Sequence, residues 1–283
     1  MSCRNATMNQ AHLPALRIAA SYGKISTNLF PGRRPNACQE SLLFAVVSAA
    51  WSVADFRMES KFVASQAGAQ FTWRTIDVTA DLPVGWQESV MWIAQEYGRD
   101  RAVGAPSLTS RELPGGADLL ISMVDGTGVE LRLPWLAALY AGRFRDLAQL
   151  CTEEAVVTAR DPRYGIYLNV QTARHGRTEC HVDSNPIEGL LYFTDQPRGF
   201  GGELRVSNAG EVRGTDEVDR DCASIYPVAG HLVFFDARRH THYVTALARE
   251  DDLRVVAGMN YYVPSVPESA RPADLNERLF GAK

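Results

Sequence analysis

His181 and Asp183 stand two residues apart in "TECHVDSNP" (Thr178–Pro186). On an extended strand such a pair points to one face, so an imidazole and a carboxylate both reach a single ion. Two ligands make a weak site, and the third candidate is His242 in "DARRHTHYV", with 58 residues between it and Asp183. Two histidines and one carboxylate occupy one face of an octahedron and leave the opposite face open. Iron(II) needs that arrangement when dioxygen and a cosubstrate must both bind it. Zinc accepts the same ligands, so the triad alone does not select the metal. Twelve residues after His242 comes Arg254, in the mostly apolar "DLRVVAGMNYY". An arginine directed into a barrel needs an anionic partner, because an unpaired buried charge is costly. A carboxylate of 2-oxoglutarate supplies one through a bidentate pair, and the phenol of Tyr192 in "LLYFT" is placed to donate to the same group.

These residues need strands to carry them, and from Tyr164 onward the chain reads as short strands. "YGIYLNVQ" (Tyr164–Gln171) alternates, with Tyr167, Asn169 and Gln171 on one face. "GLLYFT", "GELRVS", "GHLVFFDA", "HYVTAL" and "LRVVAGMNYYV" follow, separated by glycine and aspartate clusters, a spacing that predicts a β-sandwich or barrel. Residues 1–155 read instead as helices joined by loops. The clearest are Pro134–Glu153, Trp86–Gly98 and Glu40–Phe56, with one strand at Phe71–Thr79 and a long exposed loop, a candidate lid, at Asp100–Ala117.

The order H-x-D, "LLY", "GGELRV", "GHLVFFDARRHTHYV" and an arginine on a closing strand resembles the prolyl-4-hydroxylase-type iron(II)/2-oxoglutarate dioxygenases, over roughly residues 160–264. The resemblance implies a mainly β fold with α, a double-stranded β-helix (jelly roll) spanning 156–264. Helices of 1–155 would pack on it and 265–283 would form a tail, all as one oxygenase domain, 1–283. It implies His181, Asp183 and His242 as iron ligands, with Arg254 and Tyr192 holding the distal carboxylate of 2-oxoglutarate. The implied cofactor set is Fe(II), 2-oxoglutarate, O2 and, as a stimulant, ascorbate. Two departures stand out. "AREDD" lengthens the hairpin before Arg254, and the place of the family's tyrosine at the metal-binding end of the cosubstrate falls near Asn169 or Gln171.

Bland readings compete for the other residues. H-x-D alone is a turn with two polar residues, and only His242 and Arg254, in order on separate elements, raise it to a site. His240 is the rival third ligand; His231 reads as structural, His175 as solvated and Cys180 as buried filler. Glu203 reads as a local hydrogen-bonding group, Arg238 and Arg239 as residues near the mouth or a solvated turn, and Trp86, Trp92 and Trp135 as core.

Composition narrows the function class. The 283 residues carry a formal net charge of −4, which gives no reason to expect nucleic acid or an anionic membrane as partner. The odd number of cysteines, five, without a C-x-x-C pair points to a reducing cytosol. The longest uncharged apolar run, Leu42–Ala54, is too short to span a bilayer and reads as a buried helix; residues 1–39 read as an arm on the domain. The expected activity is hydroxylation of an unactivated C–H bond of a small molecule. A protein prolyl hydroxylase and a non-catalytic cupin-like metal-binding protein are the alternatives.

Overall fold

Strands dominate the computed structural model, which describes residues 61–67, 71–103, 109–113, 119–273 and 275–281. In chain order they are β1 (Lys61–Ala67), β2 (Phe71–Asp77), β3 (Arg99–Val103), β4 (Leu119–Val124), β5 (Val157–Thr158) and β6 (Ile166–Thr172). Then follow β7 (Ile187–Tyr192), β8 (Leu204–Ser207), β9 (Cys222–Ile225), β10 (His231–Phe235), β11 (His242–Val244) and β12 (Leu253–Tyr262). The large sheet runs β1-β2-β10-β7-β12-β6-β4-β3, with β5 also paired to β12, and a small sheet runs β11-β8-β9. From β6 onward the chain passes repeatedly between the two sheets. Leu190, Val233, Phe235 and Val256 of the large sheet pack against Leu204, Val206, Ile225 and Val244 of the small one. This is the double-stranded β-helix implied by the motif order.

β12 shows how the sequence builds the two layers. Val255, Ala257, Met259 and Tyr261 face the helical side, while Val256 faces the small sheet. A strand buried on both faces reads as one apolar run, which is why Arg254 stands out in it. On the helical side the chain from Pro134 to Cys151 is continuously helical, with a π turn at Tyr140–Phe144. Here two tyrosines lock helix to strand. The Tyr140 hydroxyl donates to the carbonyl of Asn260 (2.9 Å), and the Tyr261 hydroxyl donates to the carbonyl of Tyr140 (3.2 Å).

The expectation of a mostly helical segment before residue 155 needs correction. The helix Trp86–Tyr97 is present, but β1, β3 and β4 join β2 in the large sheet, two at each end. β3 ("RDRAV") is an edge strand, and its charges, which suit an edge, hide the apolar alternation a strand normally shows. It also takes up the start of the expected loop at Asp100–Ala117, whose residues 109–113 lie against His181 rather than standing free. The expected tail contains a helix, Leu275–Phe280. The helix expected at Glu40–Phe56 and the arm 1–39 lie outside the described residues. No helix among the described residues is long and apolar enough to cross a membrane.

Candidate active site

His181, Asp183 and His242 meet at the open edge of the small sheet, their ligand atoms all within 4.8 Å of one another. The stretch around His181 is extended but not a regular strand. His181 bridges Ser110 on one side and His242 on the other, exchanging backbone hydrogen bonds of 3.0 and 2.9 Å with His242. The Val182 amide donates to Thr109 and the Asp183 amide to Ala237. These bonds keep the alternation that sends His181 and Asp183 to one face.

Each histidine is oriented by its own backbone. His181 Nδ1 lies 2.6 Å from the Glu179 carbonyl and His242 Nδ1 lies 3.0 Å from the His240 carbonyl. A carbonyl only accepts, so Nδ1 carries the proton and the Nε2 lone pairs turn toward Asp183, at 3.3 Å (His181 to Oδ1) and 3.8 Å (His242 to Oδ2). The edge of Phe235 closes against the His242 ring at 4.8 Å. Burial and the charge of His181 lower the pKa of His242 to about 4, so it is neutral and able to ligate. For His181, burial opposes the charged form, but the Asp183 carboxylate outweighs it and raises the pKa. The rival ligand His240 is buried with Nδ1 at 2.7 Å from the Ser207 carbonyl, and it is not part of the cluster.

The cluster opens into a cavity of about 140 Å³ that also reaches Arg254. Arg254 is 1% exposed, its Nε makes no hydrogen bond, and no carboxylate of the described residues forms an ion pair with it. Burial lowers its pKa. Its guanidinium carbon sits 5.4 Å from the centre of the Tyr192 ring, and the fully buried Tyr192 hydroxyl likewise has no hydrogen-bond partner. The "GGEL" glycines make room for it. Gly202 has φ +74°, and a Cβ there would lie 3.1 Å from Arg254 Cδ. Asn169 lines the same cavity as the triad. Gln171 does not: its amide donates to the carbonyls of Gly176 (2.7 Å) and Thr245 (2.9 Å), beside a separate small cavity.

Other readings resolve around this site. Arg238 donates to the Ser184 carbonyl and so fastens the residues after Asp183, while Arg239 is exposed beside Asp236. Glu203 is held by Thr245 and Arg205. His175, expected in solvent, is instead buried between Thr172 and Asp100, because β3 and β4 cover that edge. Trp135 is core, whereas Trp92 is 46% exposed.

Sequence reasoning missed several cavity residues. Glu188 on β7 is buried, and it accepts a hydrogen bond of 2.8 Å from Tyr167. The Tyr167 ring crosses Gly258 of β12 to reach it, and a Cβ at Gly258 would lie 2.3 Å from Tyr167 Cζ. Burial and the neighbouring Asp183 charge push the Glu188 pKa well above the usual carboxylate range. Asp183 is shifted the opposite way: burial resists its ionisation, but Glu188, His242 and His181 together keep it ionised. A signal was present, since Glu188, Leu190 and Tyr192 share one face of a strand. Leu275, Arg278 and Leu279 of the C-terminal helix form another part of the wall, and Arg278 pairs with Glu179 at 3.0 Å.

No family model matches the chain, and no curated protein matches it. Solved structures do. The non-heme alpha ketoglutarate dependent epimerase SnoN from nogalamycin biosynthesis is 14% identical over 75% of this chain and 85% of its own, with a TM-score of 0.49. A prolyl hydroxylase from Trichoplax adhaerens, in complex with a hypoxia inducible factor peptide fragment, is 13% identical over 69% and 84%, with a TM-score of 0.47. A Pseudomonas putida prolyl-4-hydroxylase is 18% identical over 69% and 94%, with a TM-score of 0.40.

Proposed function

We propose that the chain is an Fe(II)- and 2-oxoglutarate-dependent dioxygenase that hydroxylates an unactivated C–H bond of a small molecule, an amino acid or a biosynthetic intermediate, releasing succinate and CO2. The observation that carries this reading is one cavity holding both a three-ligand cluster and a buried arginine that no described carboxylate neutralises. The buried atoms without partners, Asp183 Oδ2, Arg254 Nε and Tyr192 Oη, are those a metal and a dicarboxylate would satisfy. His181, Asp183 and His242 would hold the iron, and Arg254 with Tyr192 the far carboxylate of the cosubstrate. Bound there, the pair supplies the oxidising power that splits O2 between the substrate and succinate.

The protein's own part is orientation and exclusion of water. The Nδ1 bonds to Glu179 and His240 fix which nitrogens face the ion, and the Asp183 amide on Ala237 fixes the carboxylate's backbone. An aspartate at 183, rather than a small residue that leaves room for chloride, favours hydroxylation. The C-terminal helix in the cavity wall favours a small molecule over a peptide laid in an open groove. A cupin-like protein without catalysis has no use for Arg254. The free Cys151, Cys180 and Cys222 fit a cytosolic setting.

Anaerobic titration with Fe(II) and 2-oxoglutarate tests the reading. The expected result is a weak visible charge-transfer band, weakened in Arg254→Ala and absent in His242→Ala, with succinate release once a substrate is supplied. Bound iron with no band on adding 2-oxoglutarate would overturn it.

A further inference from the structure

Glu179 stands two residues before the ligand His181, and its carbonyl is the acceptor that holds His181 Nδ1 at 2.6 Å. The backbones of Thr178 and His181 bond to Val244 and His242, and the Cys180 carbonyl accepts from Arg111. The Glu179 peptide, by contrast, takes part in no backbone pair among the described residues. Its side chain is tied from elsewhere. Arg278 Nη2 donates to both carboxylate oxygens of Glu179, at 3.0 and 3.2 Å, and the two side chains are only 13% and 15% exposed. The tie comes from a seated platform. In the helix Leu275–Phe280, Leu275, Leu279 and Phe280 pack with Tyr164, Ala159 and Tyr262, and Arg163 donates to the Gly281 carbonyl just beyond it (3.1 Å). An ion pair in open solvent holds little, but one withdrawn from water, with both carboxylate oxygens engaged, fixes what it touches.

We infer that Arg278 is a positioning residue of the metal centre. Through Glu179 it steadies the carbonyl that sets the tautomer and ring angle of His181, and so ties metal retention to the docking of the C-terminal helix. The inference rests on the oxygenase reading, which makes His181, Asp183 and His242 the metal ligands. A ligating histidine depends on the group that holds its other nitrogen, and loss of such a partner costs about 10- to 100-fold in metal affinity. Charge alone makes a different prediction. Both side chains line the cavity, so as bare charges their removal shifts cation affinity in opposite directions, up without the arginine and down without the glutamate. As a tie, either loss loosens the same carbonyl, and both lower the affinity.

The test uses the full chain with Arg278→Met, Glu179→Met and the double variant. Zn(II) affinity is read by competition with a chelating dye. Each single variant is expected to bind Zn(II) about tenfold more weakly, the low end for an outer partner. The double variant should bind no more weakly than either, because the two residues act as one interaction. Arg278→Lys, which keeps a charged donor, should recover part of the loss. A second readout needs no metal. The proton NMR signal of His181 Nδ1–H, assigned by its loss in His181→Ala, should broaden through exchange with water in both single variants. Circular dichroism checks folding, and if Arg278→Met does not fold, Arg278→Lys and Glu179→Met carry the comparison. The inference is overturned if the two single variants move Zn(II) affinity in opposite directions, if neither moves it, or if the Nδ1–H signal is unchanged in both. Failure of the unaltered protein to bind Zn(II) would count instead against the oxygenase reading, and the Nδ1–H comparison would still decide whether Arg278 holds His181.

Discussion

Arg254 and Glu188 stand on paired strands, β12 and β7, at opposite ends of the ladder that joins them, and each is a chargeable side chain sunk in an apolar barrel. They are treated differently. No described carboxylate meets the arginine, and its phenol neighbour is itself unbonded. Glu188 accepts a hydrogen bond from Tyr167, and burial together with the field of Asp183 raises its pKa. A buried charge without a partner is a standing cost that an incoming anion can remove, whereas a buried carboxyl held by its neighbours leaves less to be satisfied. One end is poised for an ion, the other is already held by its neighbours.

The sharpest way to break this contrast is at the metal, between the two ends. His242→Ala removes one of three ligands, and metal affinity should fall by more than about 100-fold, beyond the loss typical of an outer partner, as measured by competition with a chelating dye. Next comes Arg254→Met. It should cut 2-oxoglutarate affinity by about 30-fold or more, the scale of truncating a buried charge pair, yet leave metal binding intact and the ligand-free protein no less stable to urea. Gly258→Ala probes the other end. Its methyl meets the Tyr167 ring, and the expected loss is about 1–3 kcal/mol in urea unfolding, recovered in part by adding Tyr167→Ala.

The smallest effect concerns Glu112, which pairs with Arg177 and accepts from the Cys180 amide beside the metal ligands. Burial resists its ionisation, but Arg177 and that amide outweigh it, so its folded pKa is lowered. A lowered pKa means the folded state favours the carboxylate. Its contribution is therefore complete above the unfolded pKa and lost as pH falls through the folded one. Glu112→Gln should cost about 1 kcal/mol or less near neutral pH, a difference that disappears in acid melts.

Much of the Arg254 end was legible in the sequence, and little of the Glu188 end was. An arginine in "DLRVVAGMNYY" contradicts its surroundings, and a contradiction can be read without coordinates. Glu188 precedes the glycine at which the expected strand "GLLYFT" begins, so a strand drawn from that glycine leaves it outside; only the paired ladder shows β7 starting at Ile187. The wall from Leu275–Phe280 and the strap at Ser110 were illegible for another reason. Both reach the site through tertiary packing of short segments with no periodic signature. Edge strand β3 failed likewise, since an edge tolerates the charge that local patterning takes for a loop.

The tyrosine exchange between the Pro134–Cys151 helix and β12 has a bearing on the order in which the site comes apart. β12 is hydrogen-bonded along both edges and pinned from behind, so Arg254 rides on the strand least able to open locally. His181 and Asp183 hang on isolated bridges and single amide bonds. Slow fluctuations that open the small sheet's edge would release the metal while the arginine pocket stays folded, so lability toward chelators should exceed lability of the barrel itself.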